Sequence, residues 1–207
     1  MPVLPNPKLA MDVRSSSVLS QDIITSASIL VDSTSAAPVA AFVNQCSGEA
    51  EALAVVDKKI CHIKRDRKTD SGWRAIPLFG GRAARQVAAG VAYPDTPSSA
   101  AYGLFVDDSS QLHASTLGPD GETWQEPKAV PDGLMSHLRV AYSPGGRVVV
   151  YGANNQGDLV TAFQEKVGGT FRATVCSVQN SLRGGDFQLC MTDEQSFTIV
   201  ANVNGAA

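Results

Sequence analysis

The chain has 207 residues, of which 43% are hydrophobic and 18% are charged, and its formal net charge is −3. A chain of this length and composition can bury a core as a single all-β domain. The near-neutral charge excludes a general electrostatic basis for binding nucleic acid or an anionic membrane, and no stretch approaches the roughly 18 apolar residues of a membrane span. We expect neither nucleic acid nor a membrane as a partner.

The first residues carry no targeting signal. Residues 1–20 contain three prolines and three charged residues, and they lack the apolar core that a secretory signal needs. We therefore expect either a cytoplasmic protein or a secreted one whose signal has been removed. Further along, residues 22–31 form an extended β-branched segment that predicts a strand, and residues 13–19 can supply another.

Two series of residues recur with a period near 50. Members of the first series lie at the ends of short apolar strands and are 50, 49 and 49 residues apart. The second series consists of aromatic rings that are 51 and 47 residues apart. They are Val43, Tyr93, Tyr142 and Met191 in the first series, and Trp73, Trp124 and Phe171 in the second. A period near 50 that carries several short strands is typical of the blades of a propeller.

Turn-forming residues divide each full repeat into four strands. In the second repeat, clusters of Asp, Ser, Pro and Gly follow each of the first three strands. These residue types favour turns because Pro fixes φ, Gly permits positive φ, and Asp or Ser bonds its own backbone. The predicted blades cover residues 39–78, 87–130 and 138–178. We expect residues 123–130 to form the fourth strand of the second blade and residues 131–139 to connect it to the third. Residues 81–88 are the only stretch with room for a short helix.

The fourth repeat is cut short, since residues 187–203 supply only two strands. Residues 13–31 have the position of the missing two, so we predict that both ends of the chain form one blade. Such closure gives a single β-propeller domain over residues 1–207, with about four antiparallel four-stranded blades and no open sheet edge. Two alternatives remain: the chain is part of a longer propeller, or several protomers complete a larger ring as a homo-oligomer.

Two of the repeats resemble blades of the fungal fucose-specific lectin propellers. One is the strand-turn-strand unit at residues 148–161, followed by a strand that opens on Phe171, and the other is residues 101–114 together with Trp124. The resemblance covers most of the chain. It implies the propeller fold and a sugar held by an Arg on the second strand, a Glu on the third and a ring near the fourth.

The polar members of that sugar site are not retained. The place of the Glu holds His113 or Ala114 in one repeat and Val160 or Thr161 in another. Arg147 lies near the place of the Arg in only one repeat. We therefore expect the scaffold of these lectins without their fucose constellation, and rings that serve either as core anchors or as walls of inter-blade clefts.

The connections between blades carry several basic donors. Connections of this kind emerge on one face of a propeller, around its central channel, so we expect a mouth that attracts an anionic or carbonyl-rich ligand. Alternatively, acidic residues in the same connections neutralise these donors. The predicted ligand-binding residues are Arg85, His137 and Arg183 at the mouth, Tyr93 and Tyr142 at the strand ends, and Trp73 and Trp124 in the clefts.

Three functions fit these features. The first is a lectin-like propeller that binds a glycan or a small organic ligand at the channel mouth or in the inter-blade clefts. The second rests on a further resemblance, to fungal propellers recruited for natural-product biosynthesis. It is a cyclase of the hetero-Diels–Alderase type, which needs an apolar pocket and a basic donor but no metal or nucleotide. The third is a protein-interaction propeller, and whether the chain is an enzyme stays open.

No cofactor is expected. The spacings of His and carboxylate residues do not match a zinc site, and the Gly pairs at residues 80–81 and 184–185 lack the Lys of a phosphate loop. His62 and His113 lie 51 residues apart on predicted third strands, which predicts a common structural role.

The four cysteines have no CxxC spacing, and this pattern argues against metal binding by these thiols. They are Cys46, Cys61, Cys176 and Cys190. We favour buried free thiols that behave as small apolar groups, and disulfides remain the alternative.

Overall fold

A computed structural model of the protein describes residues 39–65, 72–92, 99–164, 169–177, 182, 187–192 and 196–201. Within these residues, the strands form three four-stranded antiparallel sheets and one two-stranded sheet, and the strands of each sheet follow one another in chain order. The predicted N-terminal strands at residues 13–31 lie outside the described residues, so closure of the ring by the two ends of the chain stays a prediction.

Each sheet corresponds to one predicted repeat. Blade 1 contains β1 (Val39–Val43), β2 (Ala50–Val56), β3 (Lys59–Arg65) and β4 (Trp73–Pro77). Blade 2 contains β5 (Gln86–Ala92), β6 (Ala100–Val106), β7 (Gln111–Thr116) and β8 (Lys128–Leu134). Blade 3 contains β9 (Ser136–Tyr142), β10 (Val148–Ala153), β11 (Leu159–Gln164) and β12 (Phe171–Cys176). Blade 4 contains β13 (Phe187–Met191) and β14 (Phe197–Ala201).

Hydrophobic clusters join neighbouring blades in chain order. Leu53 and Phe105 belong to the cluster between blades 1 and 2, Leu104 and Val150 to the one between blades 2 and 3, and Leu159 and Leu189 to the one between blades 3 and 4. Antiparallel sheets that pack face to face in this order are the blades of a β-propeller. The predicted all-β propeller fold is therefore confirmed.

Strand β6 shows how the sequence encodes this packing. Every residue of β6 after Ala100 is buried. Side chains alternate between the two faces of a strand, so Leu104 packs toward blade 3 while Phe105 packs toward blade 1. A strand that is covered on both faces must be apolar along its whole length, and this produces the uninterrupted apolar run that the sequence shows.

The turns between second and third strands use the predicted residue types. Asp57 and Lys58 connect β2 to β3 with φ values of 49° and 62°, the left-handed pair that a two-residue hairpin turn of type I′ requires. The turn from β6 to β7 is held by Asp107, whose Oδ1 accepts hydrogen bonds from the backbone amides of Ser109 at 2.9 Å and Gln111 at 3.0 Å. Burial alone would raise the pKa of Asp107, but its hydrogen bonds lower that pKa to about 2.

The fourth strand of blade 2 differs from the prediction. Trp124 makes only an isolated bridge to Leu117, and the regular strand β8 starts at Lys128 and continues to Leu134, instead of spanning residues 123–130. Pro127 has no amide hydrogen to donate, so the ladder is interrupted there and resumes where Lys128 pairs with Ala114. The predicted connection at residues 131–139 was also wrong, because residues 131–134 belong to β8 and residues 136–139 belong to β9.

Two smaller expectations can also be compared with the structure. Residues 81–88 contain no α-helix: a short 3₁₀ turn covers Phe79–Gly81, and β5 starts at Gln86.

All four thiols are free, as the favoured prediction had it, but only Cys61 is buried. Burial raises the pKa of the Cys61 thiol. No helix among the described residues is long and apolar enough to cross a membrane.

Candidate functional site

A buried polar network occupies the cleft between blades 1 and 2. We call this cleft the filled cleft and define it by Asn44, Glu51, His62 and Trp124. His62 Nε2 lies 2.7 Å from Glu51 Oε2. Asn44 Nδ2 donates to Glu51 Oε1 at 2.9 Å and to the carbonyl oxygen of Gly121 at 2.8 Å. Because Gly121 belongs to blade 2, the network of Asn44, Glu51 and His62 ties the two blades together through residues that are at most 4% exposed.

Aromatic rings pack around this network. The His62 ring is stacked on Phe42, with centroids 6.1 Å apart, and meets Trp124 edge-on at 5.8 Å. The indole nitrogen of Trp124 is buried and has no hydrogen-bond partner among the described residues. At the edge of the cleft, Lys64 forms an ion pair with Glu122. Trp124 is thus a core anchor here, which was one of the two roles that the sequence left open for the rings.

The cleft between blades 2 and 3 contains a cavity of about 350 Å³, and we call it the open cleft. It lies between β7 and β8 on one side and β11 and β12 on the other. Its polar lining residues are Ser115, Thr116, Gln125, Glu126, Lys128, Gln164, Thr170 and Arg172. Ala114 and Phe171 also line it, and Phe171 meets Tyr102 edge-on with centroids 5.4 Å apart.

The two clefts are lined by corresponding strands, and Ala114 occupies in blade 2 the position that His62 occupies in blade 1. His62 pairs with Leu53 across β2 and β3, and Ala114 pairs with Leu104 across β6 and β7. Both leucines are fully buried between blades. The small Ala114 side chain leaves unoccupied the volume that an imidazole fills in the other cleft.

His113 does not share the position of His62. It pairs with Phe105 and stacks on that ring at 5.0 Å, on the side of blade 2 that faces blade 1. Its Nε2 lies 2.8 Å from Asp107 Oδ2. The predicted common role of His62 and His113 was wrong, because a difference of one residue in register places a side chain on the opposite face of the sheet.

Internal hydrogen bonds hold the walls of the open cleft. The amide of Gln164 donates to the carbonyl oxygen of Gly169, and the hydroxyl of Ser115 donates to the carbonyl oxygen of Gln125. Glu126, Lys128 and Arg172 are exposed to solvent, so their charged groups are accessible to a ligand. The cleft therefore offers hydroxyl, amide, carboxylate and cationic groups around a buried ring, a combination suited to a small ligand with many hydroxyl groups.

A second cavity, of about 340 Å³, lies along the central channel. The inner strands of all four blades contribute to it, with alanines from β1 and β5, Arg139 from β9 and Gln188 from β13. Among the described residues of this lining, Arg139 is the only cationic one. Most of the lining side chains are apolar, although the surface that this cavity exposes is more polar than apolar. Apolar side chains beside one basic donor are what the cyclase alternative requires.

Two of the predicted mouth residues, Arg85 and His137, lie close to each other but already have partners. Arg85 Nε lies 3.2 Å from Asp108 Oδ1, and both side chains are exposed. His137 Nδ1 lies 3.1 Å from the hydroxyl of Ser136. The side chain of Gln86 accepts a hydrogen bond of 2.6 Å from the amide of Leu138. Gln86 follows Arg85 and Leu138 follows His137 in the chain, so this bond holds the backbone segments of the two residues side by side. Arg183 lies outside the described residues.

The other predicted ligand-binding residues are spread over the blades. Tyr142 lies at the end of β9, where its hydroxyl oxygen accepts a hydrogen bond of 3.4 Å from the amide of Val91. Tyr142 is 49% exposed, yet desolvation where its hydroxyl packs raises its pKa, and the bond from Val91 opposes this shift. Trp73 packs against the small residues on the face of blade 1 that is turned away from blade 2. Tyr93 lies outside the described residues.

Sequence reasoning missed the filled cleft, although two signals were present. Glu51 interrupts the apolar run of β2, and His62 interrupts that of β3. A charged residue inside such a run is buried only when it is paired. The partner Asn44 precedes Gly121 by 77 residues, however, and their contact depends on how two blades dock.

The chemistry of the described residues does not include a metal centre, because among them no group of three or more His, Cys, Asp or Glu side chains could hold an ion. The expectation that the protein uses no cofactor stays a prediction.

No protein-family model matches the chain, and no curated protein matches it. Solved structures do match. One is a mutant of Aleuria aurantia lectin in complex with alpha-methyl-L-fucoside, which is 12% identical with a TM-score of 0.48 and matches over 68% of this chain and 45% of that one. Another is a triple arginine-to-alanine mutant of AofleA from Arthrobotrys oligospora, which is 12% identical with a TM-score of 0.49 and matches over 81% of this chain and 51% of that one.

The chain is similar in structure to these lectin-type proteins. At 12% identity these matches concern the fold alone, and the propeller fold itself rests on the described blades. The chain spans about half the length of the solved structures that it matches.

Proposed function

We propose that the protein is a lectin-like binding module that holds a glycan in the open cleft. The observation that carries the proposal is the cavity of about 350 Å³ between blades 2 and 3, at the position that the His62 network fills between blades 1 and 2. Pockets for small ligands start at roughly 300 Å³, so the open cleft has room for one or two sugar rings.

The chemistry of the lining supports this ligand class. A sugar presents hydroxyl groups that both donate and accept hydrogen bonds, and the open cleft offers an acceptor in Glu126 and donors in Lys128 and Arg172. Gln164 and Ser115 are held by bonds within the protein, so they keep their geometry when a ligand enters. Such preorganised polar groups reduce the entropy that binding costs.

The proposal is tested by a glycan array and by titration of the best glycan into two cleft variants. Ala114→Phe fills the cavity, and Glu126→Gln removes a charged acceptor from the exposed surface without a change in size. We expect each substitution to weaken binding by about tenfold or more, since the loss of one good polar contact corresponds to roughly 1.4 kcal/mol. Arg85→Gln serves as the control, because Arg85 lies at the predicted channel mouth.

Each outcome of this experiment is informative. If Arg85→Gln abolishes binding while both cleft variants bind like the parent, the channel mouth is the binding site and the assignment to the open cleft is wrong. If no glycan on the array binds the parent protein, the lectin-like function itself is wrong. The Glu126→Gln variant keeps the test decisive if Ala114→Phe fails to fold.

A natural-product cyclase is a second candidate, and the channel cavity with Arg139 is the observation that favours it. A substrate folded in an apolar channel needs only one donor to polarise a carbonyl group. Mass spectrometry of small molecules that copurify with the protein distinguishes the two candidates. A bound hydrophobic metabolite, with no glycan on the array, supports the cyclase, whereas glycan binding that Arg139→Gln leaves intact supports the lectin.

A further inference from the structure

The face of blade 1 that is turned away from blade 2 is buried, and we call it the far face of blade 1, defined by Ala52, Ala54, Cys61 and Ile63. These residues lie on the two middle strands of the blade and form one hydrophobic cluster, against which Trp73 packs. Ile63 is 1% exposed and Cys61 is 3% exposed. Neighbours within a single sheet shield a side chain only from the sides, so burial this complete requires a second layer on top of the face.

The described strands do not supply this second layer. Every described member of the cluster belongs to blade 1 itself. Blade 4 is the neighbour on this side of the ring, since its inner strand β13 lines the same channel cavity as β1. On β14, however, Phe197 and Ile199 pack toward blade 3, and Val200, which points the other way, is 64% exposed. The described strands of blade 4 are therefore open to solvent on the side of Val200 and do not bury Ile63.

The second layer belongs to the same chain. The burial of Ile63 and Cys61 is that of one chain by itself, so it does not require a second copy. Strands β2 and β3 are each seven residues long, and a strand that covers them also needs a connection to the rest of the fold. Apart from residues 1–38, no continuous stretch outside the described residues is longer than six residues. Only residues 1–38 are long enough to supply a covering strand and its connection.

Within these 38 residues, the segment 22–31 has the sequence pattern of a covering strand. Its odd-numbered positions are Ile, Thr, Ala, Ile and Val, whereas its even-numbered positions include Asp22, Ser26 and Ser28. A period of two gives a strand one apolar face and one more polar face. Residues 32–38, which separate this segment from β1, contain Asp, Ser, Thr and Pro, and these residue types favour the turn that a return to β1 requires.

We propose that residues 22–31 form a strand that covers the far face of blade 1, with Ala27 and Ile29 packed toward Cys61 and Ile63. This inference is independent of the proposed glycan-binding function. It gives the predicted closure of the ring a specific contact, because a strand in this position belongs to the layer between blades 4 and 1. Burial of the apolar face of the segment against an apolar sheet face supplies the stabilisation.

Thiol labelling of the full chain tests the inference, because Cys61 lies on the far face of blade 1. A pulse of iodoacetamide under native conditions, followed by peptide mass spectrometry, measures the alkylation rate of each cysteine separately. Cys46 is exposed and serves as the internal reference. We expect Cys61 of the parent chain to react at least about a hundredfold more slowly than Cys46, since alkylation requires an accessible thiolate.

Two matched variants place the same charge on opposite sides of the proposed strand. Ala27→Asp puts a carboxylate into the contact with blade 1, and Ser28→Asp puts one on the other side. We expect Ala27→Asp to speed alkylation of Cys61 by about tenfold or more, because an unpaired charge opens an apolar contact, and Ser28→Asp to change it by less than about twofold. If both variants leave the rate for Cys61 at the parent value, or raise it equally, the inference is wrong.

A photo-crosslinker keeps the test decisive if Ala27→Asp fails to fold, which faster alkylation of Cys176, packed between blades 3 and 4, would reveal. Benzoylphenylalanine in place of Ile29 should crosslink to β2 or β3 within one chain, and benzoylphenylalanine in place of Ser28 should not. Crosslinks from position 29 that map to blade 2 or blade 3, or that join two chains, would overturn the inference.

Discussion

The filled cleft and the open cleft occur at corresponding places between successive blades, yet only one has room for a ligand. In the filled cleft the third strand presents His62, which is 2% exposed and bonded to Glu51. In the open cleft the corresponding residue is Ala114, and a cavity remains. A repeat protein can therefore use one interface for stability and its neighbour for binding, by changing a few side chains on an unchanged scaffold.

The two clefts also differ in how much hydration their charged groups lose. A buried carboxylate such as that of Glu51 loses its hydration, and its hydrogen bonds only balance that loss when the geometry is good. The filled cleft meets this condition because Asn44 supplies a further donor to Glu51 and an anchor on Gly121. The charged groups of the open cleft are exposed to solvent instead, so they lose less hydration.

The largest expected effect comes from breaking the network of the filled cleft. His62→Ala leaves the buried carboxylate of Glu51 with Asn44 alone and also creates a void beside Trp124 and Phe42. We expect a loss of about 3–5 kcal/mol in the free energy of unfolding, which is typical when one partner of a buried pair is removed. Chemical denaturation monitored by tryptophan fluorescence measures this loss.

His113→Ala is the comparison variant, because it removes the other carboxylate-bonded histidine. Asp107 keeps its hydrogen bonds from Ser109 and Gln111, so we expect this variant to lose about 1–2 kcal/mol. Equal losses for the two variants would contradict the distinction drawn between a buried network and a turn that water reaches.

Most of the fold could be predicted from the sequence, because turn residues and apolar runs act locally. The first full blade was predicted to begin at residue 39 and the fourth repeat at residue 187, and β1 and β13 begin at these residues in the structure. Strand β8 was the clear exception, since Pro127 interrupts the ladder and the pairing register then shifts. A register shift depends on the partner strand, and no local pattern encodes it.

The candidate site was much harder to predict. The sequence identified Trp124 and Phe171 as corresponding rings, but it could not show that one closes a filled cleft while the other lines a cavity. That difference depends on Ala114, which sequence reasoning noted only as a missing Glu. Glu126 and Arg172 belong to different blades, so their proximity follows from blade docking, which is a long-range property.

A second prediction tests how tightly blade 2 is packed against the network of the filled cleft. Gly121 has a φ of 67°, and a Cβ added there would lie 2.7 Å from Cys46 Cβ and 3.0 Å from Asn44 Oδ1. Gly48 has a φ of 69° and no atom within 4 Å of the same added Cβ. Both Gly→Ala variants bear the cost of a left-handed backbone, roughly 1–2 kcal/mol, so this cost cancels in their comparison.

We expect Gly121→Ala to be less stable than Gly48→Ala by about 1–3 kcal/mol, because overpacking displaces Asn44 from its carbonyl partner. Thermal and chemical unfolding of the two variants measure this difference. Equal stability would mean that the turn at residues 118–121 can move away from the network at no cost, and the blades would then be less rigidly coupled than the contacts indicate.

The smallest expected effect is on the stability of the fold at low pH. Asp120 shapes the turn that carries Gly121, since its Oδ1 accepts hydrogen bonds of 3.0 Å from the backbone amides of Glu122 and Thr123. These bonds lower the pKa of Asp120 to about 2. The folded pKa lies below the unfolded value of about 3.9, so the ionised carboxylate stabilises the fold above about pH 4, and this contribution is lost as the pH falls toward 2.

Asp120→Asn keeps an oxygen acceptor for the two amides but removes the titration. We therefore expect the free energy of unfolding of this variant to fall less steeply than that of the parent between pH 4 and pH 2, as urea unfolding at both pH values will show.

Asp107, whose pKa is also about 2, provides the comparison. Asp107→Asn should flatten the same interval independently, because the two turns share no hydrogen bond, and the double variant should combine both changes. A parent-like slope in Asp120→Asn would show that the turn beside the filled cleft does not depend on the charge of this carboxylate.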